Sequence, residues 1–308
     1  MRAAFIKTLT EIAETDDRAL FLTGDLGYAA IEPFVEKFPG RFFNVGVAEQ
    51  NMVGLATGLA QAGFIPFVYS IVPFAVLRPY EFIRNGPLSH NLPVRIVGVG
   101  GGIDYSTNGI SHYGLEDIAV MRALPGMTVI APGDGMQART ALQNTWDLPG
   151  PIYFRLGKDD RIVVPGLNGR FSATGVDVIR EGTDILIASM GPIALEALSA
   201  ADILGSQGFS CTVAVVSTLS PAPTEALADL MRRHRVSVSV EAHFINGGLG
   251  SLMAETMAER GVGGRLARCG VDRLPGGLSG SPAYMHNHLK ISAPHIARAA
   301  AGAMTLVQ

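Results

Sequence analysis

The chain has 308 residues, 48% hydrophobic and 17% charged, with a net charge of −3, which is enough for two domains that each bury a full core and excludes a disordered segment. That balance supplies no basic field for nucleic acid, and no apolar stretch is long enough to span a bilayer, so neither nucleic acid nor membrane is expected as a partner. Cys211 and Cys269, the two cysteines, each sit in an apolar run that reads as a strand, which fits a reducing, cytoplasmic setting rather than a disulfide framework.

The amino terminus, Met1-Arg2-Ala3-Ala4-Phe5-Ile6-Lys7, continues as an amphipathic helix without the apolar stretch of a signal peptide. Helical periods then alternate with short β-branched runs, the pattern of a parallel sheet covered on both faces. Strands are predicted over 19–23, 42–45, 65–69, 94–99, 127–131 and 152–155. Helices are predicted over 49–61, 80–89, 115–124 and 137–146. Between Gly157 and Gly182 the rhythm breaks into turn residues and reads as a linker or small hairpin. Alternation resumes with strands over 184–190, 211–216, 236–241 and 265–271, and helices over 194–206, 224–233, 249–260 and 294–301. The expected organisation is therefore two α/β domains over 1–160 and 183–308, the second the smaller, joined by a linker over 161–182.

The run Asn44-Val45-Gly46-Val47-Ala48-Glu49-Gln50-Asn51 places one carboxylate, Glu49, at the start of a helix whose Gly54, Ala56, Gly58 and Ala60 admit close approach of a backbone or flat ligand. A carboxylate there also complements the helix dipole, for about 0.3–1 kcal/mol. Gly98-Val99-Gly100-Gly101-Gly102 follows a strand and is able to admit a phosphate or flat ligand, although it lacks the spacing of a dinucleotide fingerprint. His112 precedes a helix in the loop 108–114, where it is either a surface histidine or one facing the crevice of an open sheet. Phe74, with Phe67 and Tyr69, forms an aromatic cluster suited to core packing or to stacking on a heteroaromatic ring. Arg155 ends an apolar strand, as a domain-linking ion pair or as an anion clamp. No set of histidines has the arrangement of a metal site.

Gly24-Asp25-Leu26, 44–52, Ser111-His112-Tyr113-Gly114-Leu115-Glu116-Asp117 with the helix after it, and Val129-Ile130-Ala131-Pro132-Gly133-Asp134 together resemble transketolase, specifically its pyrimidine-binding domain. Val240-Glu241-Ala242-His243, Gly247-Gly248-Leu249-Gly250 and Gly280-Ser281-Pro282 resemble the C-terminal domain shared with 2-oxo acid dehydrogenase β chains and deoxyxylulose phosphate synthase. In this family a separate domain carrying Gly-Asp-Gly and a paired-asparagine signature holds the diphosphate of thiamine diphosphate and its Mg²⁺. Here Gly133-Asp134-Gly135 lies in a strand-to-helix loop with no asparagine pair after it. The resemblance thus implies half of a split transketolase, with Mg²⁺ and diphosphate held by a partner N-terminal subunit in an α₂β₂ heterotetramer.

The same resemblance implies roles for individual residues. Glu49 would face the ring nitrogen of the cofactor's aminopyrimidine and promote its imino tautomer, Phe74 would stack on that ring, and Asp25 and Leu26 would contact the cofactor from the pyrimidine side. His112 matches a histidine that touches donor-sugar oxygens and acts in catalysis, and Arg155 matches an arginine that binds the sugar phosphate. Two positions depart from the family: a second histidine is replaced by glycine near Gly100, and an acid that reads a substrate hydroxyl is replaced by Asn108. Losing both groups alters which hydroxyls the site can satisfy, so the expected substrate is a phosphorylated, branched or sulfonated sugar other than the usual pair. Ketol transfer is the leading activity; the alternative is a 2-oxo acid dehydrogenase β chain or a deoxyxylulose phosphate synthase-like enzyme. The small-residue face of the Glu49 helix is expected to pack on its symmetry mate.

Overall fold

Runs of apolar residues too short for helices form strands buried on both faces, as a parallel sheet between helical layers requires. The computed structural model describes residues 1–306. In chain order, α1 (Arg2–Thr15), β1 (Ala19–Thr23), α2 (Glu32–Lys37), β2 (Phe42–Asn44), α3 (Glu49–Gln61) and β3 (Ile65–Ile71) open the first half. It continues through α4 (Val72–Val76), α5 (Tyr80–Ile83), β4 (Arg95–Val99), α6 (Asp117–Arg122), β5 (Thr128–Ile130), α7 (Gly135–Thr145) and β6 (Ile152–Leu156). The second half holds β7 (Asp177–Arg180), β8 (Ile185–Ser189), α8 (Ala194–Ser206), β9 (Cys211–Val215), β10 (Thr218–Ser220), α9 (Thr224–Arg232) and β11 (Val236–Phe244). It ends with α10 (Leu249–Arg260), β12 (Arg265–Val271), α11 (Pro282–His288) and α12 (Ala293–Thr305).

The first sheet has the order β10-β5-β6-β4-β3-β1-β2 and the second β12-β11-β8-β9-β7. The two α/β sheets expected from the sequence are present, each parallel except at one edge. Those edges are where the structure differs from the expectation. Asp177–Arg180 lies in the segment read as a linker, yet it pairs antiparallel with β9 and closes the second sheet. Thr218–Ser220 leaves the second half to pair antiparallel with β5, so one sheet draws on both halves of the chain. Helix 80–89 is interrupted because Pro87 has no amide hydrogen to give; the helix stops at Ile83 and a wide π turn spans Arg84–Leu88. Helix 115–124 begins only at Asp117, since the Leu115 carbonyl accepts from the Phe244 amide of β11 at 2.7 Å. Among the described residues no helix is long and apolar enough to cross a membrane.

An apolar cluster runs across the junction, joining Met52, Ile118 and Tyr153 to Leu186, Leu219 and Leu249. Polar ties accompany it. Arg155 is 4% exposed; its Nε donates to Asp117 at 2.8 Å, and its Nη2 donates to the Gly114 carbonyl at 2.9 Å and, across the junction, to the Ala242 carbonyl at 2.9 Å. Tyr153 donates to the same Asp117 oxygen at 2.7 Å. Removing one partner of a buried pair strands the other's charge, at a cost on the order of 3–5 kcal/mol. Asp117→Ala should therefore lower the unfolding free energy by an amount of that order, read as a lower urea midpoint at unchanged slope, and a midpoint equal to wild type would contradict the brace.

His243 in β11 is buried at the same junction, accepting from the Ala119 amide at 3.3 Å through Nε2 and donating from Nδ1 to the Phe244 carbonyl at 2.7 Å. Burial pushes its pKa down to about 4. The unfolded chain, with an ordinary histidine near 6.5, binds a proton that the fold refuses, so this contribution is whole above about pH 6.5 and is lost as the pH falls toward 4, up to about 3 kcal/mol. Glu241, pushed up to about 7 by burial, acts in the opposite sense and stabilises the fold as the pH falls. The His243 share is thus read by difference: relative to wild type, His243→Asn should gain up to about 3 kcal/mol between pH 6.5 and 4. Parallel denaturation profiles for the two proteins across that range would refute this.

Candidate functional site

β1 lies between β2 and β3, so the chain's progress across the sheet reverses beside it, and ligands of open α/β sheets bind outside the carboxyl ends of strands at such a point. Glu49 is there, 2% exposed at the first position of α3. Ser70 of β3 donates to its Oε1 at 3.0 Å, and Arg78 donates to its Oε2 at 2.9 Å. A Cβ on Gly24, the residue after β1, would lie 3.2 Å from Oε1, so the strand end leaves the carboxylate little spare room. Arg78, 43% exposed at its side chain, also places its guanidinium carbon 4.0 Å from the centre of the Phe74 ring. A flat group that donates hydrogen bonds thus lies against an aromatic face with one edge on a buried carboxylate.

Phe74 belongs to this slot and not to the aromatic cluster in which sequence reasoning placed it. Phe67 and Tyr69 pack edge-on against Phe5 and Phe21 in the core, whereas Phe74 is half-buried in α4 with its ring 5.2 Å from that of His112. Asp25 and Leu26 follow Gly24 at the rim. Asp25 adopts a positive φ of 58° and exchanges hydrogen bonds with Asn44, at 2.9 and 3.1 Å, so its carboxylate is held sideways along the strand ends. Leu26 is half-buried, its carbonyl accepting from Thr23 at 2.9 Å.

His112 is half-buried between Phe74 and Tyr105, whose ring centre is 6.1 Å away, and its Nδ1 lies 3.0 Å from the Ser111 hydroxyl. Asn108 is exposed in the turn before it. Arg155 gives Nε to Asp117 and Nη2 to two carbonyls, and it also borders a cavity of about 710 Å³ between the two halves of the chain. Two other expectations need correction. Gly100, with φ of +79°, does not face substrate: a Cβ there would be 2.2 Å from the Tyr105 ring, which covers it. The whole glycine run 98–102 admits protein rather than phosphate, since Cβ atoms at Gly101 and Gly102 would fall 2.7 Å from the Arg155 guanidinium and 2.6 Å from the Ala242 carbonyl. Asp134 of Gly133-Asp134-Gly135 caps α7, accepting from the Gln137 amide at 2.9 Å and the Val164 amide at 3.0 Å, which engages both carboxylate oxygens.

Sequence reasoning missed Ser70, Arg78, Asp117 and Tyr105. Ser70 near the carboxyl end of a central strand, and Asp117 inside the motif 111–117, each carried a positional signal; Arg78 carried none.

Two family profiles cover most of the chain: "Transketolase, pyrimidine binding domain" over residues 1–161 and "Transketolase, C-terminal domain" over 175–296. The 6-deoxy-6-sulfo-D-fructose transketolase subunit SqwH of Clostridium sp. (strain MSTE9) is 36% identical over 97% of this chain and 93% of its own length. An apulose-4-phosphate transketolase subunit of Actinobacillus succinogenes is 34% identical over 87% of this chain and 86% of its own. A solved split-gene transketolase, described as an inactive β4 tetramer, superimposes with a TM-score of 0.90 at 33% identity, covering 100% of this chain and 99% of that one.

Proposed function

The chain belongs to the transketolase family, and from that premise we propose that it is the pyrimidine-binding subunit of a thiamine-diphosphate-dependent transketolase. The reaction moves a two-carbon ketol unit from a ketose to an aldose, at least one of them carrying a terminal anionic group. The observation that carries the reading is the slot between Glu49 and Phe74, whose present occupant is the flat guanidinium of Arg78. Thiamine diphosphate, when bound, supplies the carbon nucleophile that this chemistry needs and that no amino-acid side chain provides.

The residues of this chain bind, orient and hold a proton. Glu49 is the group placed to share a proton with a ring nitrogen, and Ser70 fixes which of its oxygens stays occupied. Phe74 offers the ring a stacking face, and the same face is in edge contact with His112, so cofactor and substrate side of the site are joined through two side chains. His112, next to that face, donates to or accepts from the oxygens of the donor sugar. Asp25 and Leu26 border the slot from the strand ends. Arg78 has to withdraw for a ring to enter, since it uses both the carboxylate oxygen and the aromatic face.

Metal and diphosphate are assigned to a partner N-terminal subunit, because Asp134 already gives both oxygens to backbone amides. Two relatives are named as subunits, and the β tetramer of the split-gene relative is described as inactive, which supports an assembly of two chain types. We read this assembly as an α₂β₂ heterotetramer in which copies of this chain meet through α3. Gly54, Leu55 and Gly58 form an exposed stripe there, and a Cβ at Gly58 would meet nothing within 4 Å. Small residues on an exposed helix face let a second backbone come close.

With the partner chain present, Glu49→Gln should lower kcat at least a hundredfold, the scale of losing a positioned proton-transfer group, while far-UV circular dichroism stays unchanged. Wild-type turnover in a folded Glu49→Gln protein would refute the assignment, and CO₂ release from pyruvate in place of ketol transfer would point to oxo-acid chemistry instead. Assembly gives a separate check by sedimentation. Gly58→Leu should shift the complex toward smaller species, and an unchanged sedimentation coefficient would contradict the α3 contact.

A further inference from the structure

The second half of the chain holds another cavity, of about 780 Å³, which shares no bordering residue with the slot at Glu49 or with the cavity at the junction. It lies at the outer edge of the second sheet, between β12, the loop that follows it, the end of α11 and the first turns of α12. Arg268, Arg273, Lys290 and Arg298 border it, and Asp272 is the one carboxylate among the described residues that does so. The chain as a whole carries a net charge of −3, so this gathering of cations runs against its overall balance. Asp272 meets its neighbour Arg273 at 3.4 Å. Among the described residues Arg268, Lys290 and Arg298 make no ion pair.

Two of these cations are held in place by the backbone around them. The stem of Arg268 crosses Gly250, where a Cβ would lie 2.9 Å from its Cδ, and its Nη1 donates to the Ile245 carbonyl at 3.3 Å. Lys290 ends the α11 turn with a positive φ of 60°, its amide donating to the Asn287 carbonyl at 3.2 Å. Glycine takes that left-handed conformation with less strain, so the lysine brings a charge to the cavity where a neutral residue would end the helix more easily. His295 adds a polar edge: its Nδ1 lies 2.8 Å from the Ser292 hydroxyl, which leaves Nε2 for a ligand. Leu289 and Ala299, packed against the core of the second half, give part of the lining an apolar character.

Converging cations without counter-ions repel one another, and walls of low dielectric focus their field into the space between them. An anion relieves that repulsion. Arginine forks match phosphate oxygens two at a time, and a cavity of this size falls in the range that holds a whole metabolite and exceeds what a single phosphate fills. We propose that this cavity binds a polyphosphate chain, inorganic or carried as the tail of a nucleotide. The site goes beyond the transketolase reading and does not depend on it.

Calorimetric titration of ATP, sodium tripolyphosphate and adenosine into the full chain at low salt tests this, with Arg298→Gln and Lys290→Gly alongside. Both anions should bind and adenosine should not. Each variant should raise the Kd for the anions about tenfold, and added salt should weaken both anions in the wild type. Lys290→Gly puts the left-handed turn in the residue that adopts it most readily, so its fold is kept and a loss of binding reports the missing charge. ATP tighter than tripolyphosphate identifies a nucleotide as the occupant, and ATP no tighter identifies the inorganic chain. Silence from both anions, affinities unchanged in the two variants, or adenosine binding as tightly as ATP overturns the proposal.

Discussion

The buried bond between Arg155 and Asp117 constrains most of what surrounds it. An arginine at the end of a central strand cannot be left unpaired in the interior, so Asp117, Gly114 and Ala242 converge on it. Gly101 is required because a side chain there would strike the guanidinium. The Ala242 contact belongs to the second half of the chain, so the same arginine fixes how the two sheets meet and hence the walls of the cavity between them.

A different balance governs the other end. Glu49 is buried at a helix start, with a serine and an arginine on its two oxygens, and the arginine is itself half-exposed and laid over a phenylalanine. Only the arginine's half of this pair is open to water, and a ring that donates to the same oxygen would replace the hydrogen bond Arg78 gives up, so the carboxylate would not be left unpaired. The carboxylate stays buried either way. A slot whose permanent walls are a carboxylate and an aromatic face, and whose occupant is movable, suits a bound flat cofactor better than a purely structural pair.

Much of this was legible before the fold was known. The continuous apolar runs indicate both sheets because parallel strands are buried on two faces, and Glu49 stands out because its run occurs in order with the other transketolase-like motifs, where alone it would only complement a helix dipole. What escaped was long-range. Nothing near Arg155 in sequence announces Asp117 as its partner, and the glycines of 98–102 look the same whether they admit a phosphate or a neighbouring side chain. Thr218–Ser220 crosses to the other sheet through pairing that local propensity does not encode, and nothing near Arg78 in sequence announces Glu49, 29 residues away, as its partner.

In the assembly proposed above, this chain holds one end of a thiamine cofactor while a second polypeptide holds the other. Calorimetric titration of thiamine diphosphate with Mg²⁺ into the chain alone, into an N-terminal transketolase subunit that co-purifies with it, and into the two together is the decisive measurement. Tight binding is expected only to the assembled pair. Tight binding by this chain alone would contradict it.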